Sequence, residues 1–313
     1  MEPLNCPREK LGDEARSCHR PCIRLKKPPS VALPPFSAQW LHLLLLGLLV
    51  TLFSIAQDSC NDVWGHALHG RIMWEKGRLP LFSDYSFVTN ADIRTEDNSI
   101  HELLVYFLLS YLGYGGLIFL KWAAVGAISI FTFLWLREEK VRLPLACLGV
   151  AAVLLVAERR FFPRSDIVNM MFAPLYLYIL VRHQNRRDWA IWLLPFLQWI
   201  WIQFHSFASL GLFLIFAFSF QKICELWAPG AASSDQRQKA ASILRRLLIV
   251  GLLCLLASLA TPACFHKLTQ PFVLLGKVTE TNLYTATAET RPIISLDQGS
   301  GSISFALLLR YLI

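Results

Sequence analysis

The sequence lacks the short motifs by which many soluble enzymes are recognised. It contains no P-loop, no glycine-rich dinucleotide fingerprint, no HExxH and no GxSxG. These absences exclude the loop that cradles a nucleotide phosphate, the two-histidine helix of zinc peptidases and the nucleophile elbow of α/β-hydrolases. No cleavable signal-peptide pattern begins the chain either. Any chemistry must therefore come from another arrangement of residues.

Charged residues are also scarce. Only 17% of the 313 residues are Asp, Glu, Lys or Arg, whereas 55% are hydrophobic. Repeated apolar runs and a mean hydropathy of +0.45 predict an all-α polytopic membrane protein and exclude an ordinary soluble domain. The formal net charge of +8 comes from short basic clusters between these runs, as expected for cytoplasmic loops, so it does not indicate a nucleic-acid partner.

The eight cysteines form no recognisable framework. Cys18 and Cys22 flank His19 in a C-x3-C spacing, but no second pair follows to complete a zinc site. Cys60 has no evident disulfide partner in the polar segment that surrounds it. Unligated cysteines are the simpler interpretation.

Hydropathy and positive charge together predict how the chain crosses the bilayer. Residues 1–39 are basic and proline-rich and are predicted to be a disordered cytoplasmic tail, followed by one transmembrane domain over residues 40–313. The threading places residues 57–116 and 262–301 outside as two long loops. The predicted spans are residues 40–56, 117–136, 143–158, 167–182, 189–204, 207–226 and 247–260.

Two short apolar stretches need separate treatment. Residues 101–113 would form a helix of about 20 Å against a hydrocarbon core of about 30 Å, which predicts an interfacial helix. If this helix crossed, Arg186-Arg187 and Arg245-Arg246 would face outward, against the positive-inside bias. Residues 305–313 are too short to span, so the chain is predicted to be truncated.

The first outer loop is dense in carboxylate and histidine. The stretch from Asp62 predicts an amphipathic helix, with Asp62, His66 and Gly70 on one face and Trp64 and Leu68 on another. Lying on the membrane, such a helix could hold carboxylate and imidazole towards a cleft. A solvated helix whose charges have no specific role is the alternative. The other candidates in this loop are Asp58, Asp84, His101 and Glu102.

The turn after the span 143–158 carries a second outer group. Its three arginines depart from the positive-inside trend, and guanidinium groups at a membrane boundary suit a phosphate. Headgroup anchoring or pairing with nearby carboxylates is the alternative. Lys121, near the outer end of the span 117–136, either snorkels or completes the same basic pocket. The members of the turn are Glu158, Arg159, Arg160, Arg164 and Asp166.

Two further polar groups belong to the outer side. Gln203 and His205 end the span 189–204, and polar side chains at that depth usually face a protein interior or a wet cavity. A packed histidine beside an aromatic belt is the alternative there. The second outer loop contributes a fourth group, for which a solvated loop is the simpler interpretation. Its charged members are His266, Lys267, Lys277, Glu280, Glu289 and Arg291.

These motifs resemble the GT-C superfamily of integral-membrane glycosyltransferases, over roughly residues 40–295. The similarity is to bacterial, largely uncharacterised members related to the protein O-mannosyltransferase and aminoarabinose-transferase branches. The family's Trp-x-Asn-x-His-Gly is here Trp201-Ile-Gln203-Phe-His205-Ser206, and Pro163-Arg164 inverts the family's Arg-Pro. The first-loop pattern of the family corresponds to Asp62, His66, Gly70, Gly77-Arg-Leu-Pro80, Asp84-Tyr-Ser86 and His101-Glu102.

The resemblance implies a GT-C-like helix bundle with a long first outer loop containing amphipathic helices. It also implies transfer of a sugar from a polyprenyl-phosphate donor to a glycan, lipid or protein acceptor. The protein would lie in the cell envelope, in a bacterial inner membrane, with its site facing the periplasm. A carboxylate can serve as general base, and arginines can neutralise the departing lipid phosphate.

Residue roles follow from the same resemblance. Asp62 is expected to be the base, with His66 and Glu102 positioning sugar or acceptor. Donor phosphate is assigned to Arg159, Arg160, Arg164 and Lys121. The substrate surroundings are assigned to Asp58, Asp84, His101, Asp166, Gln203 and His205. No cofactor is certain, and the carboxylates are compatible with a divalent metal although no ligand spacing requires one.

A non-enzymatic membrane protein, either a transporter or an inactive GT-C-like scaffold, is the alternative. A transporter would carry ionisable residues near the bilayer midplane and broken helices in matching halves. This chain concentrates its polar residues at one face, which favours the enzyme.

Overall fold

The computed structural model describes residues 35–55, 62–84, 98–227, 234–261 and 267–273. These residues form α-helices and short 3-10 turns, with no β-strand among them, so the predicted all-α fold is confirmed for this part of the chain. The tail to residue 34, Asp58, most of the second outer loop and the stretch 305–313 lie outside the described residues.

Helices occupy every predicted apolar stretch that the structure describes. The 3-10 turns lie at Phe82–Asp84, Glu158–Arg160, Trp189–Leu193 and Ser206–Ala208, and residues 267–273 are helical. The α-helices are α1 Pro35–Ile55, α2 Asp62–Lys76, α3 Ser99–Leu112, α4 Tyr114–Glu138, α5 Leu143–Ala157, α6 Ser165–Arg186, α7 Leu194–Phe204, α8 Ser209–Trp227 and α9 Ser234–Leu259.

Two predicted spans differ from the observed helices. The span 189–204 is divided into the 3-10 turn and α7, because Pro195 lies in the first turn of α7, where its missing N–H costs no helical hydrogen bond. The Asp188 carboxylate accepts the Ala190 N–H at 3.3 Å and caps the 3-10 turn. The span 247–260 is the apolar end of α9, which begins at Ser234 because its polar first turns also contain good helix formers.

Membrane-spanning capacity is clear for three of the described helices. By length and composition, α4, α8 and α9 could each cross a bilayer, which is compatible with a membrane protein. Helix α3 has 14 residues and is shorter than a span, so its interfacial position stays a prediction.

The helices form a bundle with two distinct ends. Helix α4 packs along α6, α8 along α9, and α1 against α4 and α5. Arg186 Nε lies 2.7 Å from Glu138 Oε1, so α4 and α6 end together. At the other end the Phe53 and Phe161 rings are 6.1 Å apart, which brings the end of α1 beside the turn after α5. We call this the site end, and the end near Glu138 the opposite end.

A buried hydrogen-bond network fixes the middle of the bundle. The Tyr176 hydroxyl donates to Gln198 Oε1 at 2.8 Å. Gln198 Nε2 donates to the Ala208 carbonyl at 2.9 Å and to Ser258 Oγ at 3.1 Å. The network joins α6, α7 and α9 and satisfies an amide that is fully buried.

The bundle ends give a topology prediction. Single cysteines replacing Arg71 on α2 and Gln184 near the end of α6 should react with an impermeant maleimide from opposite sides of the membrane. The reason is that α2 packs at the site end, whereas Gln184 lies near the opposite end. Labelling of both positions from the same side, in a background without the native cysteines, would contradict the threading.

Candidate active site

An ion pair joins the first outer loop to the turn before α6. Arg164 Nη2 lies 2.7 Å from Asp62 Oδ2, and their side chains are 23% and 52% exposed. Asp62 is the first residue of α2 and Arg164 immediately precedes α6. The predicted base and the predicted phosphate-binding arginine are therefore in direct contact. Because half-exposed pairs add little stability, the main effect of the contact is to place the two groups.

A second acid and imidazole pair lies in the same region. His205 Nε2 is 2.7 Å from Asp166 Oδ1, which joins the end of α7 to the first turn of α6. His205 Nδ1 accepts the Phe207 backbone N–H at 3.1 Å. In neutral His205 the proton must therefore be on Nε2, and this N–H donates a hydrogen bond to the Asp166 carboxylate. Both ring nitrogens are then engaged, so His205 holds Asp166 in place and is not itself available as a base.

Glu102 forms the third acidic group. Its side chain is 3% exposed, and Oε1 lies 3.0 Å from His69 Nδ1 and 3.6 Å from His66 Nδ1. Burial raises the pKa of Glu102, but hydrogen bonding and charge from the two imidazoles outweigh burial, so the pKa lies below its ordinary value. A buried carboxylate that stays ionised needs such partners. This burial suits a positioning role better than contact with an acceptor.

His101 lies behind these groups and is fully buried. Its ring is 5.0 Å, edge to face, from His66 and 6.4 Å from Phe204. Neither ring nitrogen has a hydrogen-bond partner among the described residues. Burial lowers the pKa of His101 to about 3, and electrostatic interaction with the His66 and His205 imidazoles acts in the same direction, so the ring is neutral at physiological pH.

Gly70 allows α2 to approach α3 closely enough to build this arrangement. A Cβ atom at Gly70 would lie 2.1 Å from the Glu102 carbonyl oxygen and 2.7 Å from Tyr106 Cβ. No side chain larger than hydrogen fits between the two backbones. His69, immediately before Gly70, and His66, one turn earlier on α2, can therefore reach Glu102.

The remaining predicted phosphate and substrate residues have different environments. Lys121 is 4% exposed, two turns into α4, and Gln203 is 7% exposed in the last turn of α7. Arg160 is exposed in the turn before α6, and its charge acts on Asp166. Arg159 lies in the same turn, but its side chain is not described.

Asp84 belongs to a separate network at the far end of α2. Its carboxylate pairs with Lys76 at 2.6 Å and with Arg78 at 2.7 Å, and it accepts the Leu81 N–H at 2.8 Å. Hydrogen bonds from Arg78, and then from Leu81 and Lys76, hold its pKa well below the ordinary range. These contacts stabilise the turn after α2, about 20 Å along the helix from Asp62. A role for Asp84 near a substrate stays a prediction.

Two residues at the site end have contacts that the sequence does not predict. His69 is three positions after His66, and that helical spacing could have placed both on the face that meets Glu102. Lys267 was assigned to a solvated loop, and this is wrong: its side chain is buried, and Nζ donates to the Ile202 carbonyl at 2.9 Å. The negative end of the α7 dipole favours a cation there.

The described residues contain no group of three or more His, Cys, Asp or Glu side chains arranged to hold a metal ion. The site carboxylates are instead paired separately: Asp62 with Arg164, Asp166 with His205, and Glu102 with His66 and His69.

Acid sensitivity follows from His101 and Glu102. The folded pKa of His101 is about 3 and its ordinary value is 6.5, so between these values the unfolded chain binds more protons and stability falls as pH falls. Glu102, whose folded pKa is lowered, contributes stability above its ordinary pKa that is lost at lower pH. We expect the melting temperature to drop when the pH is lowered from about 7.5 to about 5. His101→Phe should weaken that dependence, and an unchanged pH profile in this variant would contradict the assignment.

Comparison of the chain with protein-family models, with curated proteins and with solved structures finds no match.

Proposed function

We propose that this protein transfers a sugar from a polyprenyl-phosphate donor to an acceptor hydroxyl at the site end of the bundle. The observation that carries the proposal is the contact between Asp62 and Arg164, with Asp166 two residues further on. This arrangement combines an accessible carboxylate with a guanidinium that suits phosphate. The resemblance to GT-C glycosyltransferases described above supports the same reaction.

The proposed reaction has one displacement step. The Asp62 carboxylate accepts the proton of the acceptor hydroxyl while the acceptor oxygen bonds to the anomeric carbon. The bond from that carbon to the phosphate oxygen breaks, and the lipid phosphate leaves with the bonding electron pair. Inversion at the anomeric carbon needs one base and no covalent intermediate. General-base assistance of this kind contributes about 10²–10⁴-fold in rate.

Arg164 is proposed to change partners during this step. In the structure its guanidinium is paired with Asp62, and a guanidinium has five N–H donors that can be redistributed between a carboxylate and a phosphate. A donor phosphate beside Arg164 would therefore lie close to the base as well. Charge that develops on the leaving phosphate would be stabilised by a cation already in position. Asp166 is held in place by His205. Its negative charge attracts Arg164 and would keep the guanidinium at the site end.

The proposal is tested by a transfer assay with the full chain in lipid vesicles. A panel of polyprenyl-phosphate sugars with a radioactive sugar would be offered together with glycan, lipid and peptide acceptors. Product should form from at least one donor, and substitution of the site carboxylates should suppress it. If the parent chain binds donors but transfers no sugar to any acceptor class, the enzymatic proposal fails and an inactive scaffold is favoured.

A kinetic prediction concerns Arg164. Arg164→Ala should raise the KM for the donor by about 10–150-fold, because a charge-assisted hydrogen bond contributes about 1.5–3 kcal/mol. Arg164→Lys should recover only part of the loss, since lysine cannot form a bidentate contact. Arg71→Ala is the matched control, because Arg71 is an exposed arginine on α2 that pairs with Glu75. Equal effects of the Arg164 and Arg71 substitutions on KM would contradict the assignment.

A further inference from the structure

A long apolar groove runs between α1 and α4. Its volume is about 570 Å³. On α1 the lining runs from Leu43 to Val50, and on α4 from Trp122 to Leu134. The α4 wall is therefore about 18 Å long at 1.5 Å per residue.

The lining of the groove is apolar except for two side chains, Trp122 with its indole N–H and Ser129. The Ser129 hydroxyl donates to the Val125 carbonyl at 2.8 Å. The space between the walls comes from two glycines. A Cβ at Gly47 or at Gly126 would meet no atom within 4 Å, so both positions face open space. Such a groove suits a hydrocarbon chain and rejects a polar ligand.

Cations lie where this groove approaches the site end. Trp122 is the lining residue of α4 nearest the site end, and the buried Lys121 immediately precedes it. Arg164 and Arg160 lie in the turn before α6, the helix against which α4 packs. An occupant with a long apolar chain and an anionic head would match both parts of this surface.

We infer that the α1–α4 groove binds the isoprenoid chain of a polyprenyl phosphate, with the phosphate towards Lys121 and Arg164. This inference rests on the proposed function, to which it adds the binding site of the donor's chain. Affinity should then rise with chain length until the groove is filled, because each buried methylene adds apolar area removed from water.

The test measures binding of a chain-length series to the full chain in detergent. The probes are geranyl, farnesyl and geranylgeranyl phosphate, with hexadecyl phosphate as a straight-chain ligand that has the same phosphate monoester head group. For the parent chain, affinity should increase at least about tenfold from geranyl to geranylgeranyl phosphate, and hexadecyl phosphate should bind more weakly than geranylgeranyl phosphate.

Filling the groove should abolish this chain-length dependence. Gly126→Leu places a side chain into the open space and should reduce geranylgeranyl phosphate affinity at least about tenfold, with little effect on geranyl phosphate. Gly115→Leu is the matched control, because Gly115 is also on α4, exposed, and has no atom near its Cβ position. A second filling variant, Gly47→Leu on α1, should reproduce the effect and guards against misfolding of the first.

Other results would overturn the inference. Equal binding of hexadecyl and geranylgeranyl phosphate would indicate an ordinary straight hydrocarbon chain as occupant. Unchanged chain-length dependence in both filling variants would place the chain elsewhere. The proposed function is judged separately. If binding depends on the groove but no sugar is transferred, the proposed transferase function fails and the proposed chain-binding site stands. If sugar is transferred but the donor KM does not change when the groove is filled, the chain-binding site fails and the transferase function stands.

Discussion

Asp62→Asn should lower sugar transfer by at least about 10²-fold while leaving donor binding nearly unchanged. Asparagine keeps the shape of the side chain and can still accept a hydrogen bond from Arg164, but it cannot take the acceptor's proton. Asp62 is also the most accessible of the three paired site carboxylates, with 52% of its side chain exposed. The measurement is the initial rate of transfer at saturating donor, together with donor affinity.

Glu75→Gln is the control for Asp62→Asn, because Glu75 is another half-exposed acid of α2 and pairs with an arginine of the same helix. Its transfer rate should equal that of the parent. Asp62→Asn protein that is correctly inserted and transfers at the parent rate would show that Asp62 is not the base. Asp166 would then be the next candidate, since its side chain is 30% exposed, whereas that of Glu102 is 3% exposed.

Gly70→Ala should both destabilise the protein and remove most of its transfer activity. The added methyl group would lie 2.1 Å from the Glu102 carbonyl oxygen, so α2 and α3 must move apart. Overpacking of this kind costs about 1–3 kcal/mol. Separation of the helices would also lengthen the 3.0 Å contact between His69 and Glu102. We expect a lower melting temperature in detergent and a transfer rate reduced by more than about tenfold.

Gly65→Ala provides the comparison on the same helix. No atom lies within 4 Å of a Cβ at Gly65, so alanine should be neutral or stabilise α2 by about 0.5–1 kcal/mol through helix propensity. If the two glycine variants melt at the same temperature and transfer at the same rate, the close approach of α2 and α3 does not control the site.

Hydropathy predicted the helices well because burial in a bundle and solubility in lipid both select long apolar stretches. It failed where other forces set the boundary. The polar first turns of α9 are helical although nothing in their hydropathy indicates it. The division of the span 189–204 follows from Pro195 and the Asp188 cap, which are local hydrogen-bonding effects.

The site was predicted less completely, because pairing between distant segments has no local signature. Charge pattern identified Asp62 and Arg164 as separate groups, but their contact depends on how α2 packs at the site end. The sequence also does not predict the close approach of α2 to α3 at Gly70. Gly65 is a glycine of the same helix, yet a Cβ there would have no atom within 4 Å. Lys267 lies in a charged loop by composition and is nevertheless buried against the end of α7.

The one-residue connection between α3 and α4 couples the position of α3 to that of α4. Gly113 joins the helices at φ 59° and ψ −148°, a conformation favoured by glycine. A Cβ at Gly116 would be 2.5 Å from the Leu108 carbonyl oxygen, so the helices are packed together on both sides of the joint. Helix α4 is about 37 Å long, and a spanning helix longer than a hydrocarbon core of about 30 Å can be accommodated by tilting. Because α3 is packed against α4, a change in that tilt would move α3 and, with it, the carboxylate of Glu102.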